Sequence, residues 1–217
     1  MKLLIVVMSC HKNWNLWKDI KRGIKKNFLI FTSSHKNENW YDENDKILYL
    51  NCRDTYESLP EKVICMIDQV LQQDYFKKYT HILKIDDYEA VKLTPEKIKN
   101  IYNFPEIERN DYTGQELLFY KNNRSARTYH YGKVSKESRW HDNLYKGTFV
   151  PWFNGGKSYI LSRNAMECIN TIYNGANIEV LRRYEIYEDL MIAKLLHKFS
   201  IFPVQVQYNA VEASGDE

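Results

Sequence analysis

The sequence predicts an α/β fold: one domain with a mostly parallel central sheet flanked by helices. Two observations lead there. Short apolar, β-branched runs alternate with segments whose apolar residues recur at helical spacing, which is the grammar of a parallel sheet. The 217 residues are 44% hydrophobic and 14% aromatic, a composition that supports a sizeable core and argues against disorder.

Taken in order, residues 3–8 (LLIVVM) read as a buried strand ending at Ser9-Cys10-His11. Trp14, Trp17, Ile20 and Ile24 then predict a helix. Residues 28–32 are a second strand, 33–45 a polar loop, and 47–50 a third strand. After Pro60, the residues Val63, Ile64, Ile67, Val70 and Leu71 mark one helix face. Residues 81–85 are the fourth strand. Thr94-Pro95 opens a helix, with a hydroxyl at the N-cap and proline at the first helical position. Residues 103–156 are aromatic, polar and irregular, with short strands expected near 112–120 and 148–153. A strand over 158–161 leads into a helix capped by Ser162 and running to about 173. A helix over 188–199 and a strand over 201–206 close the chain. No composition shift marks a linker, so 1–217 is expected to be a single domain.

Charge and cysteine usage narrow the function. The formal net charge of +3 comes from 31 basic and 28 acidic residues, without the concentrated positive face of a nucleic-acid binder. The basic cluster 18–26 reads as a solvated helix face. Cys10, Cys52, Cys65 and Cys168 show no CxxC spacing, so free thiols are expected. The six histidines form no HExxH-type ligand pattern, and His197, inside an apolar helix, reads as a packing residue. The first apolar run is too short for a signal h-region, and no stretch approaches a membrane span. A soluble, cytoplasmic protein is expected.

The chemistry-bearing residues gather at element ends. Lys84-Ile85 delivers Asp86 and Asp87 to the end of the fourth strand, where ligands bind in open α/β sheets. Two acids suit a hard cation or a hydroxyl-rich ligand, and the same pair also serves as a turn or helix cap. Gly155-Gly156 allows close backbone approach to a ligand, or an ordinary turn. Glu188-Asp189 opens the last long helix, where acids are also common decoration.

Four segments can be read together: Asp54-Thr55-Tyr56-Glu57-Ser58-Leu59-Pro60-Glu61-Lys62, Lys84-Ile85-Asp86-Asp87, Asn154-Gly155-Gly156-Lys157-Ser158-Tyr159-Ile160-Leu161-Ser162, and Tyr187-Glu188-Asp189-Leu190. In order and approximate spacing they resemble the β1,3-galactosyltransferase/Fringe family of glycosyltransferases. Its pattern runs D-x-Y-x-N-L-x-x-K, K-x-D-D-D, G-G-x-x-Y-x-L-S and E-D-V. The resemblance implies a GT-A-type (Rossmann-like) domain, with 1–102 as the nucleotide-sugar-binding half and 103–217 as the acceptor-binding and catalytic half. It implies inverting transfer of a hexose-type sugar from a nucleotide-sugar, expected to be a UDP-sugar, to a hydroxyl of a glycan or other acceptor. Asp189 would be the general base. Asp54, Lys62, Asp86 and Asp87 would bind the donor, and Trp152, Gly155, Gly156 and Glu188 the acceptor.

The resemblance also implies Mn²⁺ or Mg²⁺ held by Asp86 and Asp87. Tyr88 stands where the pattern has its third aspartate, and a protonated phenol is a poor ligand for either ion. No histidine follows residue 199 to supply the family's C-terminal metal ligand. Two other readings remain open on sequence alone. One is a catalytically inactive nucleotide-sugar or glycan-binding module of the same fold, favoured by Tyr88. The other is a two-metal phosphohydrolase or nuclease site built on Asp86-Asp87 and Glu188-Asp189.

Overall fold

The structure is a computed structural model and describes residues 1–119 and 124–209. It is an α/β fold with an eight-stranded, mostly parallel sheet flanked by helices. The strands are β1 (Leu3–Met8), β2 (Phe28–Ser33), β3 (Trp40–Asp42), β4 (Ile47–Leu50), β5 (His81–Asp86), β6 (Tyr112–Gly114), β7 (Leu117–Leu118), β8 (Trp152–Phe153), β9 (Tyr159–Ser162) and β10 (Val204–Gln205). The large sheet runs β10-β6-β9-β5-β1-β2-β4-β3, while β7 and β8 pair separately. β5, β1, β2 and β4 form the parallel block; β9 runs antiparallel to both β5 and β6, and β3 antiparallel to β4.

β1 is buried on both faces, which is why it reads as an uninterrupted apolar run. Its side chains alternate between two cores. Leu4, Val6 and Met8 join the larger core; Leu3, Ile5 and Val7 join the smaller. The helices are α1 (Trp17–Ile24), α2 (Leu59–Gln72), α3 (Asp87–Ala90), α4 (Pro95–Ile101), α5 (Pro105–Arg109), α6 (Arg124–Arg127), α7 (Arg163–Ile172), α8 (Leu181–Tyr184) and α9 (Glu188–His197). α2, α7 and α9 cover the larger core, and α1 and α4 the smaller. Both expected caps form: Thr94 accepts from the Lys97 amide and Ser162 from the Ala165 amide.

Several expectations need correction. The helix expected from Trp14 begins instead as a 3₁₀ turn over His11–Leu16, with Asn13 out of helical geometry and Trp14 exposed. Asn13 is drawn away by its side-chain bond to Asp87. The loop expected over 33–45 contains β3, held by Trp40 stacked on Tyr49 with ring centroids 4.2 Å apart. The final strand shortens to two residues after Pro203, whose missing N–H limits pairing. The strand expected near 112–120 becomes β6 and β7, and Tyr120 lies outside the described residues. His197 is exposed and meets Phe202 edge-on, not packed in the core. The four cysteines are free. No helix among the described residues is long and apolar enough to cross a membrane.

Candidate active site

The site follows from the strand order. The chain passes from β1 to β2 on one side and returns as β5 on the other, so β1/β5 is the switch point of the sheet. Met8 is level with Asp86 across it. Beyond these ends lies a cavity of about 360 Å³, lined by Met8, Tyr56, Asp86, Trp152, Asn154, Gly156, Glu188 and Asp189, among others. Residues from both ends of the chain therefore meet in one hollow.

The two strand-end acids part company. Asp86 faces the cavity, a third exposed, with Lys84 Nζ 2.7 Å from its Oδ1. Asp87 is buried. Its Oδ2 accepts from Ser9 Oγ at 2.7 Å and Asn13 Nδ2 at 2.9 Å, while Oδ1 accepts from the Tyr88 amide at 2.8 Å. Asp87 thus pins β1 to the start of α3. Asp54 and Lys62 pair at 2.5 Å, and Lys62 Nζ also donates to the Ser9 carbonyl at 3.1 Å. Burial works against ionised Asp54, but Lys62 outweighs it and holds the carboxyl below its ordinary value. That pair ties β1 to α2 and stands apart from the cavity lining.

A divalent cation needs several converging oxygens. Among the described residues no three His, Cys, Asp or Glu side chains converge. Lys84 takes one oxygen of Asp86, and both oxygens of Asp87 are engaged. The Tyr88 phenol is exposed and donates to Asn13 Oδ1 at 3.3 Å. Asp86 and Asp87 do not form the ligand set that the resemblance implies, and these residues do not fit an ion held by protein side chains.

Lys84 organises the opposite wall. A lysine in a central buried strand must find partners, because an unpaired ammonium there is costly. Its Nζ donates to Asp86 Oδ1, to the Gly155 carbonyl at 2.9 Å, and to Glu188 Oε2 at 3.5 Å. Glu188 Oε1 accepts from Tyr159 Oη at 2.6 Å. The Gly155 amide in turn donates to Asp189 Oδ2 at 3.0 Å, and the Leu190 amide to Oδ1 at 2.8 Å. Trp152 donates to Asp189 as well. Gly155 is required by this close approach: a Cβ there would lie 2.6 Å from Glu188 Oε2 and 2.9 Å from Asp189 Cβ.

Burial raises the Asp189 carboxyl above its ordinary value, against the three donors that lower it. The helix dipole of α9 also favours the ionised form, so burial is what makes this aspartate more basic. Glu188 is pushed up to about 7, chiefly by burial, with Lys84 opposing and Asp189 adding to it. A carboxyl raised from 4.5 keeps its proton in the folded state across pH 4.5 to 7, while the unfolded chain releases it. Stability from this group therefore falls as pH rises through that window, by about 3 kcal/mol at most. Glu188→Gln is expected to flatten that slope relative to the parent protein. Urea unfolding at pH 5 and pH 8 checks it.

Of the residues expected from sequence, the cavity gathers Asp86, Trp152, Gly156, Glu188 and Asp189. Gly155 braces them from behind, and Asp54, Lys62 and Asp87 lie outside the cavity lining. Trp152 is 5% exposed and reaches Asp189 through its indole N–H, so it is less an open floor than a buried brace with one edge in the cavity. Sequence reasoning missed Tyr56, Tyr129, Lys133, Phe149 and Tyr187 as lining residues. It also missed Lys84 as the hub, although a lysine within the apolar run of residues 82–85 signals a buried partner.

Residues 10–207 match the galactosyltransferase family, spanning all four motifs and all of the cavity lining except Met8. The chain belongs to the galactosyltransferase family. That membership points to a glycosyltransferase activity. A search of curated proteins finds no match to this galactosyltransferase-family chain. Among solved structures, a cytidylyltransferase from Leptospira borgpetersenii serovar Hardjo-bovis (strain JB197) is 11% identical, with 95% of this chain and 77% of that one covered at a TM-score of 0.45. The CMP:2-keto-3-deoxy-manno-octonic acid synthetase complexed with CTP is 9% identical, with 95% and 91% covered at the same TM-score, 0.45. Both are remote likenesses of layout.

Proposed function

We propose that this protein is an inverting glycosyltransferase that moves a hexose-type sugar from a nucleotide-sugar, a UDP-sugar first among them, to a hydroxyl of a glycan acceptor. The observation that carries the reading is Asp189. It lines the cavity at the sheet's switch point, faces the same space as Asp86, and has its carboxyl raised by burial. A carboxylate offers about four lone-pair sites, and three donors hold this one in place, so one remains for an incoming hydroxyl.

The residues then divide the work. Asp86 accepts hydroxyl donors from the ribose or the sugar at the strand end. Gly156 and the aromatic walls Trp152 and Tyr187 shape the acceptor side, apolar faces suiting the C–H face of a sugar ring. Asp189 takes the proton of the acceptor hydroxyl as its oxygen bonds to the anomeric carbon from the side opposite the leaving group. The bond to the phosphate oxygen breaks, and its electron pair leaves with the nucleoside diphosphate. Glu188, held by Lys84 and Tyr159, keeps Gly155 and Asp189 in register. Residues 1–102 carry most of the donor side, and 103–217 the acceptor side and base.

The test is a screen of nucleotide-sugars against mono- and disaccharide acceptors, reading nucleoside diphosphate release. Acceptor-stimulated release from one donor supports the reading. Tight donor binding without release from any pair would favour the inactive binding module, the reading that Tyr88 keeps open.

A further inference from the structure

Transfer leaves the departing nucleoside diphosphate with negative charge that something must offset. The cavity offers mostly acids for this: Asp86, Glu116, Glu188 and Asp189 share its lining. Two nearby lysines are already committed. Lys84 is fully buried against Asp86, Gly155 and Glu188, and Lys62 is buried against Asp54 and the Ser9 carbonyl. Nor do side-chain ligands for a cation converge among the described residues.

Lys133 is different. Among the described residues it is the one lysine or arginine on the cavity wall, and it is exposed. Its ammonium rests on aromatic faces, 3.2 Å from the ring centroid of Tyr129 and 5.6 Å from that of Tyr56. Those two rings line the same cavity. An exposed cation on a ring face is held weakly, whereas an ammonium–phosphate contact is charge-assisted on both sides. Gly132, at φ +74 with open space around it, precedes the lysine and lets the turn carry it without a bulky neighbour. The anchor behind it is firm: Ser135 Oγ donates to Glu57 at 2.7 Å, fastening this segment to the 3₁₀ turn over Tyr56–Ser58 that precedes α2.

We propose that Lys133 supplies the positive charge that binds and stabilises the leaving diphosphate. The inference rests on the glycosyltransferase reading and names the group that takes a cation's place in it. As the bond between anomeric carbon and phosphate oxygen breaks, the electron pair stays on that oxygen, beside the ammonium. The acceptor's proton goes to Asp189, and Lys133 keeps its own throughout. The ligand class is a nucleoside diphosphate, recognised through its second phosphate.

Calorimetric titration in EDTA tests this, using the uridine, cytidine, guanosine, adenosine and thymidine diphosphates and the matching monophosphates. Wild type is expected to bind one diphosphate more tightly than its monophosphate. Lys133→Met is expected to lose about tenfold in affinity for that diphosphate, equal to about 1.4 kcal/mol. Monophosphate affinity should hold, which also reports an intact fold, and Lys133→Arg should keep most of the diphosphate affinity. Wild-type affinity in Lys133→Met overturns the inference, as does diphosphate binding that appears only with Mn²⁺. Wild type that binds none of the nucleotides, with or without Mn²⁺, overturns the transferase reading itself and the inference with it.

Discussion

Asp189→Asn is expected to lower kcat for sugar transfer by about 10²–10⁴, the usual range for a lost general base. The amide keeps the shape and its oxygen can still accept from Gly155, but it gives up the bond from the Leu190 amide and cannot take the acceptor's proton. Donor affinity should be largely unchanged, because the proposed donor contacts lie at Asp86 and not at Asp189. The pH profile supplies a second check. Activity of the parent protein should fall on the acid side as the raised Asp189 carboxyl protonates, and residual activity of the variant should lose that limb. Transfer kinetics and donor titrations on the two proteins measure both. Equal kcat in the two would remove Asp189 from the chemistry.

The second large effect belongs to Lys84. Replacing it with methionine fills similar volume but strands Asp86 and Glu188 against a buried, uncompensated wall, and frees the Gly155 carbonyl. Breaking a buried pair by removing one partner costs about 3–5 kcal/mol. The cost should depend on pH. Glu188 can take up a proton and shed its charge, so Lys84→Met should be least destabilised near pH 5 and most above pH 7. Urea unfolding across that range measures it. A uniform cost at all pH values would mean that the Lys84 charge does not act on Glu188. Because Lys84 also fixes Gly155, and Gly155 fixes Asp189, kcat should fall even where the variant remains folded.

The parts of the fold that could be read from sequence are those with a single dominant force. β1, β2, β4 and β5 are largely buried on both faces, and a short, mostly apolar run is what such a strand requires. Thr94 and Ser162 cap helices by chemistry that depends only on near neighbours. β3 escaped because Trp40–Asp42 is short and half-buried, held by a stack on Tyr49 that no local pattern announces. His197 misled because helical spacing places a residue on a face without saying whether anything covers that face.

The candidate site divides in the same way. Glu188, Asp189 and the Gly155-Gly156 pair were visible through their resemblance to family motifs, and the structure brings them to one place. The adjacent acids were not separable in sequence. Asp86 ends an extended strand and Asp87 begins a helical turn, so the backbone changes direction between them and sends one carboxylate to the cavity and the other under it. Tyr56, Tyr129 and Lys133 come from 3₁₀ and irregular segments without periodicity, and only tertiary packing makes them neighbours.

The cavity between Asp86 and Asp189 is expected to perform single-displacement transfer from a nucleotide-sugar. Proton NMR of the sugar released or transferred from an α-linked donor tests it most directly, through the anomeric coupling of the first product formed. A β-configured product is expected from inverting transfer. An α-configured first product, or no consumption of any nucleotide-sugar, would contradict it.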